Sequence, residues 1–335
     1  MKKNLCTSML CFVAVMQLHA SSYAESFNTN KFDSAMVYFQ NRNLHQAEKC
    51  LRILQATNPQ DPRVLFYLGR INFKKGNFER ASKCFLQASK KDKKSAEIHL
   101  WIGRSSGQLA RTAMAGKNAI YAYRARREIE TAIALKPDYA EAHLALLQYY
   151  LVAPRMLGGS IDRAVAEARI VNSLSPGLGL IADGMLFEFK QEYARAEKSY
   201  SQALTDSKYR HFAWLALERM YRKQGRLSSA IVLFEQILQE HPHNIDVLFR
   251  VGYLYQEVQN YDAAFSVFDL ILSLHDNMGS ALLEMARTAV FSGQKMARAK
   301  SSIASYLKAE GLSEVEIARA RLIQNELIDL SRKER

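Results

Sequence analysis

Apolar residues recur along His211–Asn244 as two stripes of helical period. Trp214, Leu217 and Tyr221 stand three and four residues apart, on one face of a first helix. Ala230, Phe234 and Ile237 form the matching stripe of a second helix. Gly225 lies between the stripes, where the chain must turn and a positive φ is wanted. Ala230 is small because the two helices approach closely there, and Pro242 stops the second helix. The predicted unit is a helical hairpin. It returns in the next 34 residues as Leu248, Val251, Gly252, Tyr255, Ala264, Phe268 and Ile271. One such hairpin cannot bury its own apolar face, so it needs neighbours on both sides.

The same pattern can be followed through most of the chain. The first hairpin shows Ala35, Tyr38, Ala47, Leu51, Leu54 and Pro59, and the second Leu65, Leu68, Gly69, Ala81, Phe85 and Ala88. Gly103 opens the third hairpin in step, but Ala125, Ile129, Ala132 and Pro137 follow ten residues late. The extra residues lie within Arg104–Arg124, which holds no acid, and their alanines and aliphatics predict longer helices rather than a loose loop. In the fourth, Leu146 and Tyr150 precede LVAPRMLGGSID, where Pro154 and Gly158-Gly159 break the helix and Ser160 caps the next. Gly184, Phe187, Ala196, Tyr200 and Ala203 mark the fifth hairpin. Leu282, Met285, Ala286 and Gly293, then Ala299, Ile303 and Tyr306 after one extra residue, mark the eighth. From Leu312 onward, Val315, Ala318, Leu322, Leu327 and Leu330 predict an amphipathic closing helix, apolar toward the last hairpin and polar toward water.

Large and small residues at eight fixed offsets in 34 residues resemble the tetratricopeptide repeat (TPR), and the resemblance covers residues 28–310. It implies an all-α fold: a right-handed TPR solenoid of about eight helical hairpins with a C-terminal capping helix. The expected division is a signal peptide over 1–24, a repeat array over 25–310 with enlarged hairpins near 96–139 and 140–176, and a capping helix with a charged tail over 311–335. WIGRSSG, ALKPDYAEA and APRMLGGS also resemble segments of exported bacterial TPR proteins without an assigned activity.

The N-terminus supports export. Lys2 and Lys3 precede an apolar stretch from Met9 to Leu18, and Ser22-Tyr23-Ala24 fits a cleavage site, with Ala20 the poorer alternative. The stretch is about half the length that spans a bilayer, so a retained anchor is the lesser reading. Neither Cys6 nor Cys11 follows a lipoprotein pattern. The expected location is the periplasm. Without residues 1–24 the chain keeps 44 basic against 33 acidic residues, a balance of +11. Such a protein can meet anionic lipid headgroups, acidic polysaccharide or acidic protein surfaces, whereas nucleic acid fits export poorly. Cys50 and Cys84 occupy equivalent positions on successive second helices, about 10 Å apart, too far for a disulfide.

Candidate chemistry is sparse. Gly177-Leu-Gly179-Leu-Ile-Ala182 nearly matches a dinucleotide-binding turn but follows no predicted strand. His241-Pro-His243 has no acidic or cysteine partner at metal-ligand spacing. His99 and His143 fall where the repeat usually carries tryptophan and read as packing residues. No cofactor or metal is expected, and the chain reads as no enzyme.

The resemblance implies instead a concave groove lined by first helices. One series of groove positions is Met36, Arg70, Arg104, Gln148, Met185, Arg219, Tyr253 and Arg287. The other is Phe32, Phe66, Leu100, Leu144, Ile181, Leu215, Phe249 and Leu283. Among them Phe66, Arg70, Arg104, Arg219, Phe249, Tyr253 and Arg287 are the candidate binding residues. Arginine beside apolar side chains suits an acidic, partly apolar protein or peptide segment. The alternative is that a basic protein simply collects arginines on its helix surfaces. The lysine and asparagine with which chaperone-binding TPR domains clamp a free C-terminus are missing from both series. Three function classes follow: an exported adaptor for a protein or peptide, a permanent scaffold subunit of an envelope polysaccharide or outer-membrane assembly complex, and, least supported, an enzyme.

Overall fold

A computed structural model describes residues 30–40, 43–114, 116–274, 279–309, 312 and 314–333. The expected signal peptide, with Cys6 and Cys11, lies outside the described residues. Those described are helical with no strand, so the fold class is all-α. No helix among them is long and apolar enough to cross a membrane.

The chain divides into two compact units, residues 1–182 and 183–335. The first unit begins with α1 (residues 30–40) and α2 (Leu44–Thr57), followed by α3 (Pro62–Lys74) with α4 (Phe78–Lys91). Next come α5 (Ala96–Thr112) with α6 (Lys117–Leu135), and α7 (Ala140–Val152) with α8 (Ile161–Leu174). The boundary falls inside α9 (Pro176–Phe189). The second unit continues with α10 (Tyr193–Ala203), α11 (Arg210–Lys223), α12 (Leu227–Glu240), α13 (Ile245–Glu257) and α14 (Tyr261–Leu274). It ends with α15 (Gly279–Ser292), α16 (Met296–Leu307) and α17 (Glu314–Lys333). Within each unit consecutive helices pack as hairpins. First helices also touch first helices, as α5 does α7 and α13 does α15. Each unit is therefore a stack of repeats.

Local chemistry sets the helix starts. The side chains of Asn43, Asp61, Ser95, Ser160 and Asn244 each accept a hydrogen bond from a backbone N–H of the turn that follows. Pro62 adds a first residue whose missing N–H costs nothing there.

The hairpins close on a repeated contact. A Cβ on Gly69, Gly184 or Gly252 would come within 2.5, 2.3 and 2.7 Å of the ring of Phe85, Tyr200 and Phe268 respectively. At each place an aromatic of the second helix lies on the bare backbone of the first. Seven residues beyond each of those glycines the chain turns through positive φ, at Gly76, Gln191 and Gln259. Gly225, with φ 69°, is the same turn in the hairpin that carries Trp214.

The third hairpin makes its positive-φ turn later, at Gly116, thirteen residues beyond Gly103. Its extra residues sit in helix, α5 with 17 residues and α6 with 19, and the long pair packs along its length. In the eighth, the extra residue appears as Lys295, which takes up a left-handed conformation before α16. The closing helix buries Leu327 as expected but differs from expectation at Ala318 and Leu322, and the side chain of Val315 lies outside the described residues. Ala320, Ile323 and Leu327 are buried against α15 and α16, whereas Leu322 is 64% exposed and Ala318 is exposed. Spacing of three and four from Ala320 makes the docked face, and Leu322 lies about 100° away from Ile323 around the helix.

Candidate ligand-binding surface

In the first unit, three residues of α3 and α5 come together. Arg70 follows Gly69 and Arg104 follows Gly103, and this one-repeat spacing places both guanidinium groups on the indole of Trp101. Cζ of Arg70 is 4.4 Å and Cζ of Arg104 5.1 Å from that ring centroid. Arg70 also lies 5.3 Å from the ring of Phe39 and 5.7 Å from that of Phe66. The indole in turn meets Phe73 and Phe85 at 5.2 and 5.8 Å. The result is a cation–aromatic cluster in which the quadrupoles of the rings partly replace water around the charges.

Replacement is incomplete. Nε of Arg70 is buried without a hydrogen bond, and its one carboxylate neighbour, Glu97, stands 3.8 Å from Nη1. Among the described residues Arg104 forms no ion pair or hydrogen bond. Burial holds both groups below the ordinary arginine value, and in Arg104 the charge of Arg70 acts in the same direction. The nearby Tyr139 phenol is pushed up to about 12, first by burial and then by Glu97. The cluster thus carries net positive charge and few acceptors. A carboxylate entering it would supply negative charge and acceptors together.

The second unit treats its arginines differently. Arg219 donates to Glu188 at 2.6 Å, and Glu188 also accepts from the Tyr200 hydroxyl at 3.1 Å. Glu188 is only 9% exposed, so it closes the arginine from beneath. Arg287 donates through Nη1 to both oxygens of buried Glu284, at 3.0 and 2.9 Å. Burial raises the Glu284 carboxyl above the usual range, against the pull of Arg287. Buried Glu218 accepts from Arg222 and Arg250. Phe249 and Tyr253 stack at 6.2 Å with ring planes 30° apart, and both rest on Phe268.

The seven predicted residues therefore fall into two unlike sets, Phe66, Arg70 and Arg104 in the first unit and Arg219, Phe249, Tyr253 and Arg287 in the second. Phe66 is 7% exposed and forms floor rather than rim. Two features escaped the sequence reading. Trp101 was legible only as part of WIGRSSG, and Tyr139 only as part of a linker. The glutamates Glu188, Glu218 and Glu284 were missed as well, although Glu218 sits where its neighbours in the pattern carry Gly184 and Gly252.

His99 and His143 pack as expected but also carry charge chemistry. Nδ1 of His99 lies 2.7 Å from Glu128 and Nε2 3.3 Å from the Lys93 carbonyl. His143 repeats this with Glu167 at 2.7 Å and the Pro137 carbonyl at 2.9 Å. With acceptors at both nitrogens, the doubly protonated ring satisfies each site, and both pKa values are raised, chiefly by the glutamate hydrogen bonds. His241 meets Arg210, and no group of three or more metal-ligating side chains exists among the described residues. Cys50 and Cys84 are free thiols.

Family models described as tetratricopeptide repeat match residues 32–82 and 221–277. No curated protein matches the sequence. Among solved structures, a thermophilic TPR protein from Thermus thermophilus, TTC0263, is 21% identical. The likeness covers 57% of this chain and 98% of that one, with a TM-score of 0.48. A MamA protein is 20% identical over 55% of this chain and 93% of its own, with a TM-score of 0.39. A tetratricopeptide repeat protein from Parabacteroides merdae is 13% identical over 90% and 98%, with a TM-score of 0.42. The two family matches fall one in each unit, on hairpins closed by the glycine–aromatic contact at Gly69 and Gly252. The chain is a tetratricopeptide-repeat protein.

Proposed function

We propose that this protein is a non-catalytic adaptor that holds an acidic, partly apolar segment of another protein, with Arg70, Trp101 and Arg104 at the centre of the site. TPR proteins are in general protein-interaction scaffolds, and the question is where this one binds. The observation that carries the reading is the unclosed arginine pair on Trp101. Arg219 and Arg287 already hold buried glutamates, so an incoming carboxylate would have to compete with Glu188 or Glu284. Arg104 forms no ion pair or hydrogen bond among the described residues, and Glu141 and Glu97 act on it only from a distance. A carboxylate there gains charge-assisted hydrogen bonds on the order of 1.5–3 kcal/mol. An apolar neighbour in the same segment gains from the half-buried rings of Phe39 and Trp101. With residues 1–24 read as a signal peptide, the partner would be met in the periplasm.

The test is a selection of peptides from a random display library on residues 25–335. Expected is enrichment of Asp and Glu interleaved with Phe or Leu, abolished on the Arg70→Ala/Arg104→Ala variant while its circular dichroism is unchanged. Recovery of the same peptides on that variant would place the site elsewhere. Enrichment of basic peptides would end the reading.

A further inference from the structure

A second basic site stands in the first unit, built from the GGS loop that the adaptor reading leaves unused. The α7–α8 connection carries a short 3₁₀ turn, Arg155–Leu157, and then Gly158, Gly159 and Ser160. Together with α6 it encloses an open cavity of about 530 Å³. Three arginines from three elements line it, Arg126 of α6, Arg155 of the 3₁₀ turn and Arg163 of α8, and no acidic residue does. Tyr123 and Met156 complete the wall, 58% and 90% exposed.

The loop is shaped around the arginine. Gly158 has φ 94°, and a Cβ there would come 2.5 Å from Nη1 of Arg126. Nε of Arg126 is buried without a hydrogen bond, and its ion-pair neighbour Glu130, one turn along the same helix, stands 3.5 Å away. The backbone amides of the loop are already used. Gly158 donates to Arg155, Gly159 to Pro154 and Ser160 to Tyr150. The Ser160 hydroxyl is also used, accepting from the Arg163 N–H as the cap of α8. A ligand here therefore meets guanidinium groups and not a backbone cradle.

Three like charges around one cavity repel each other unless an anion sits between them. Guanidinium forks match tetrahedral oxyanions as well as carboxylates, and three of them suit the multiple oxygens of phosphate. The exposed Tyr123 ring and Met156 side chain give that phosphate an apolar neighbour, and the cavity is larger than a bare phosphate fills. We infer that the Arg126–Arg155–Arg163 cavity binds the phosphate group of an organic phosphate. The shared chemistry admits two sources, a soluble phosphate ester and the headgroup of an anionic lipid.

The experiment uses residues 25–335 and three probes: inorganic phosphate, glycerol phosphate, and phosphatidylcholine vesicles with or without phosphatidylglycerol. Titration calorimetry reads the soluble probes, and flotation reads the vesicles. Arg155→Gln tests the site with little risk to folding, since Arg155 is exposed on the loop. Arg155→Gln/Arg163→Gln removes two of the three forks, and Arg111→Gln removes an exposed charge on α5 as the control. Expected is binding of at least one phosphate probe, weakened about tenfold by Arg155→Gln and lost in the double variant, with Arg111→Gln unchanged. Binding of glycerol phosphate assigns a soluble ester, and flotation only with phosphatidylglycerol assigns a lipid headgroup. No binding to any probe overturns the inference. So does equal weakening by Arg111→Gln, which would mean diffuse charge attraction rather than a site.

Discussion

Arg219 and Arg104 occupy equivalent repeat positions, yet their removal should have unequal consequences for stability. Arg219→Ala leaves Glu188 buried with only the Tyr200 hydroxyl at 3.1 Å as a partner. Breaking a fully buried ion pair costs about 3–5 kcal/mol, because the remaining charge is stranded. The Arg219 side chain is 48% exposed, so water screens it and can partly replace it. The expected loss is therefore about 1–3 kcal/mol. Arg104 forms no ion pair and is held near Arg70, so Arg104→Ala loses only the contact with the Trp101 ring, partly offset by relief of the charge repulsion, and should cost less than about 1 kcal/mol. The assay exploits the two tryptophans, one in each unit. In a Trp101→Phe background, urea melts followed at Trp214 report the second unit; in a Trp214→Phe background, Trp101 reports the first. Glu188→Gln completes a double-mutant cycle with Arg219→Ala and should recover part of the loss. An Arg219→Ala protein as stable as its parent would refute the view that this arginine is occupied by the fold. So would a loss of equal size from Arg104→Ala.

Other consequences are open to the same measurements. Trp214 is 5% exposed, so Trp214→Ala should cost about 3–5 kcal/mol in denaturant melts. Gly252→Ala sets a methyl 2.7 Å from the Phe268 ring and should cost about 1–3 kcal/mol, whereas a neutral result would show that the ring can move aside. Gln191 and Gln259 take positive φ where Gly225 does, so Gln259→Gly should gain roughly 0.5–1 kcal/mol by relieving the left-handed conformation. The raised pKa values of His99 and His143 mean that the folded state binds these protons more tightly than the unfolded chain. Their contribution is whole below the usual histidine range and is lost as pH rises through the raised values. Melts of the first unit between about pH 6 and pH 9 should therefore fall with pH, and His99→Gln/His143→Gln should flatten that slope.

The repeat itself was legible because its signals are local. Gly225, Ala230 and Pro242 each answer a backbone need that the offset alone reveals, whereas the aromatic rings lying on Gly69 and Gly252 became visible only in the structure. The long third hairpin was legible for the same reason, since Gln108–Ala125 contains neither Pro nor an acid and carries an alanine-rich helical pattern. In the closing helix Leu327 was legible, but Leu322 and Ile323 are both apolar, and only the docked partner decides which one faces inward. The candidate site was legible in position but not in state. Arg70, Arg104, Arg219 and Arg287 look alike along the chain, and their difference lies in Glu188 and Glu284. Glu188 stands 31 residues before Arg219, on the preceding first helix, and Glu284 one turn from Arg287, at positions with no fixed signature. Whether an arginine is free is set by its neighbours in space, which a single series of offsets does not contain.

Whether Arg70, Trp101 and Arg104 bind an acidic segment is decided by the affinity of one selected acidic peptide for four proteins. These are residues 25–335, Arg104→Ala, Arg70→Ala, and a variant in which Lys90, Lys91, Lys93 and Lys94 become glutamine. The lysines carry equal charge but cluster about the end of α4, where solvent screens them. Each arginine variant should weaken binding by about 1–3 kcal/mol, roughly five- to 150-fold, while the lysine variant stays within about threefold of the parent. Loss of binding in the lysine variant with both arginine variants unaffected would contradict binding at these arginines.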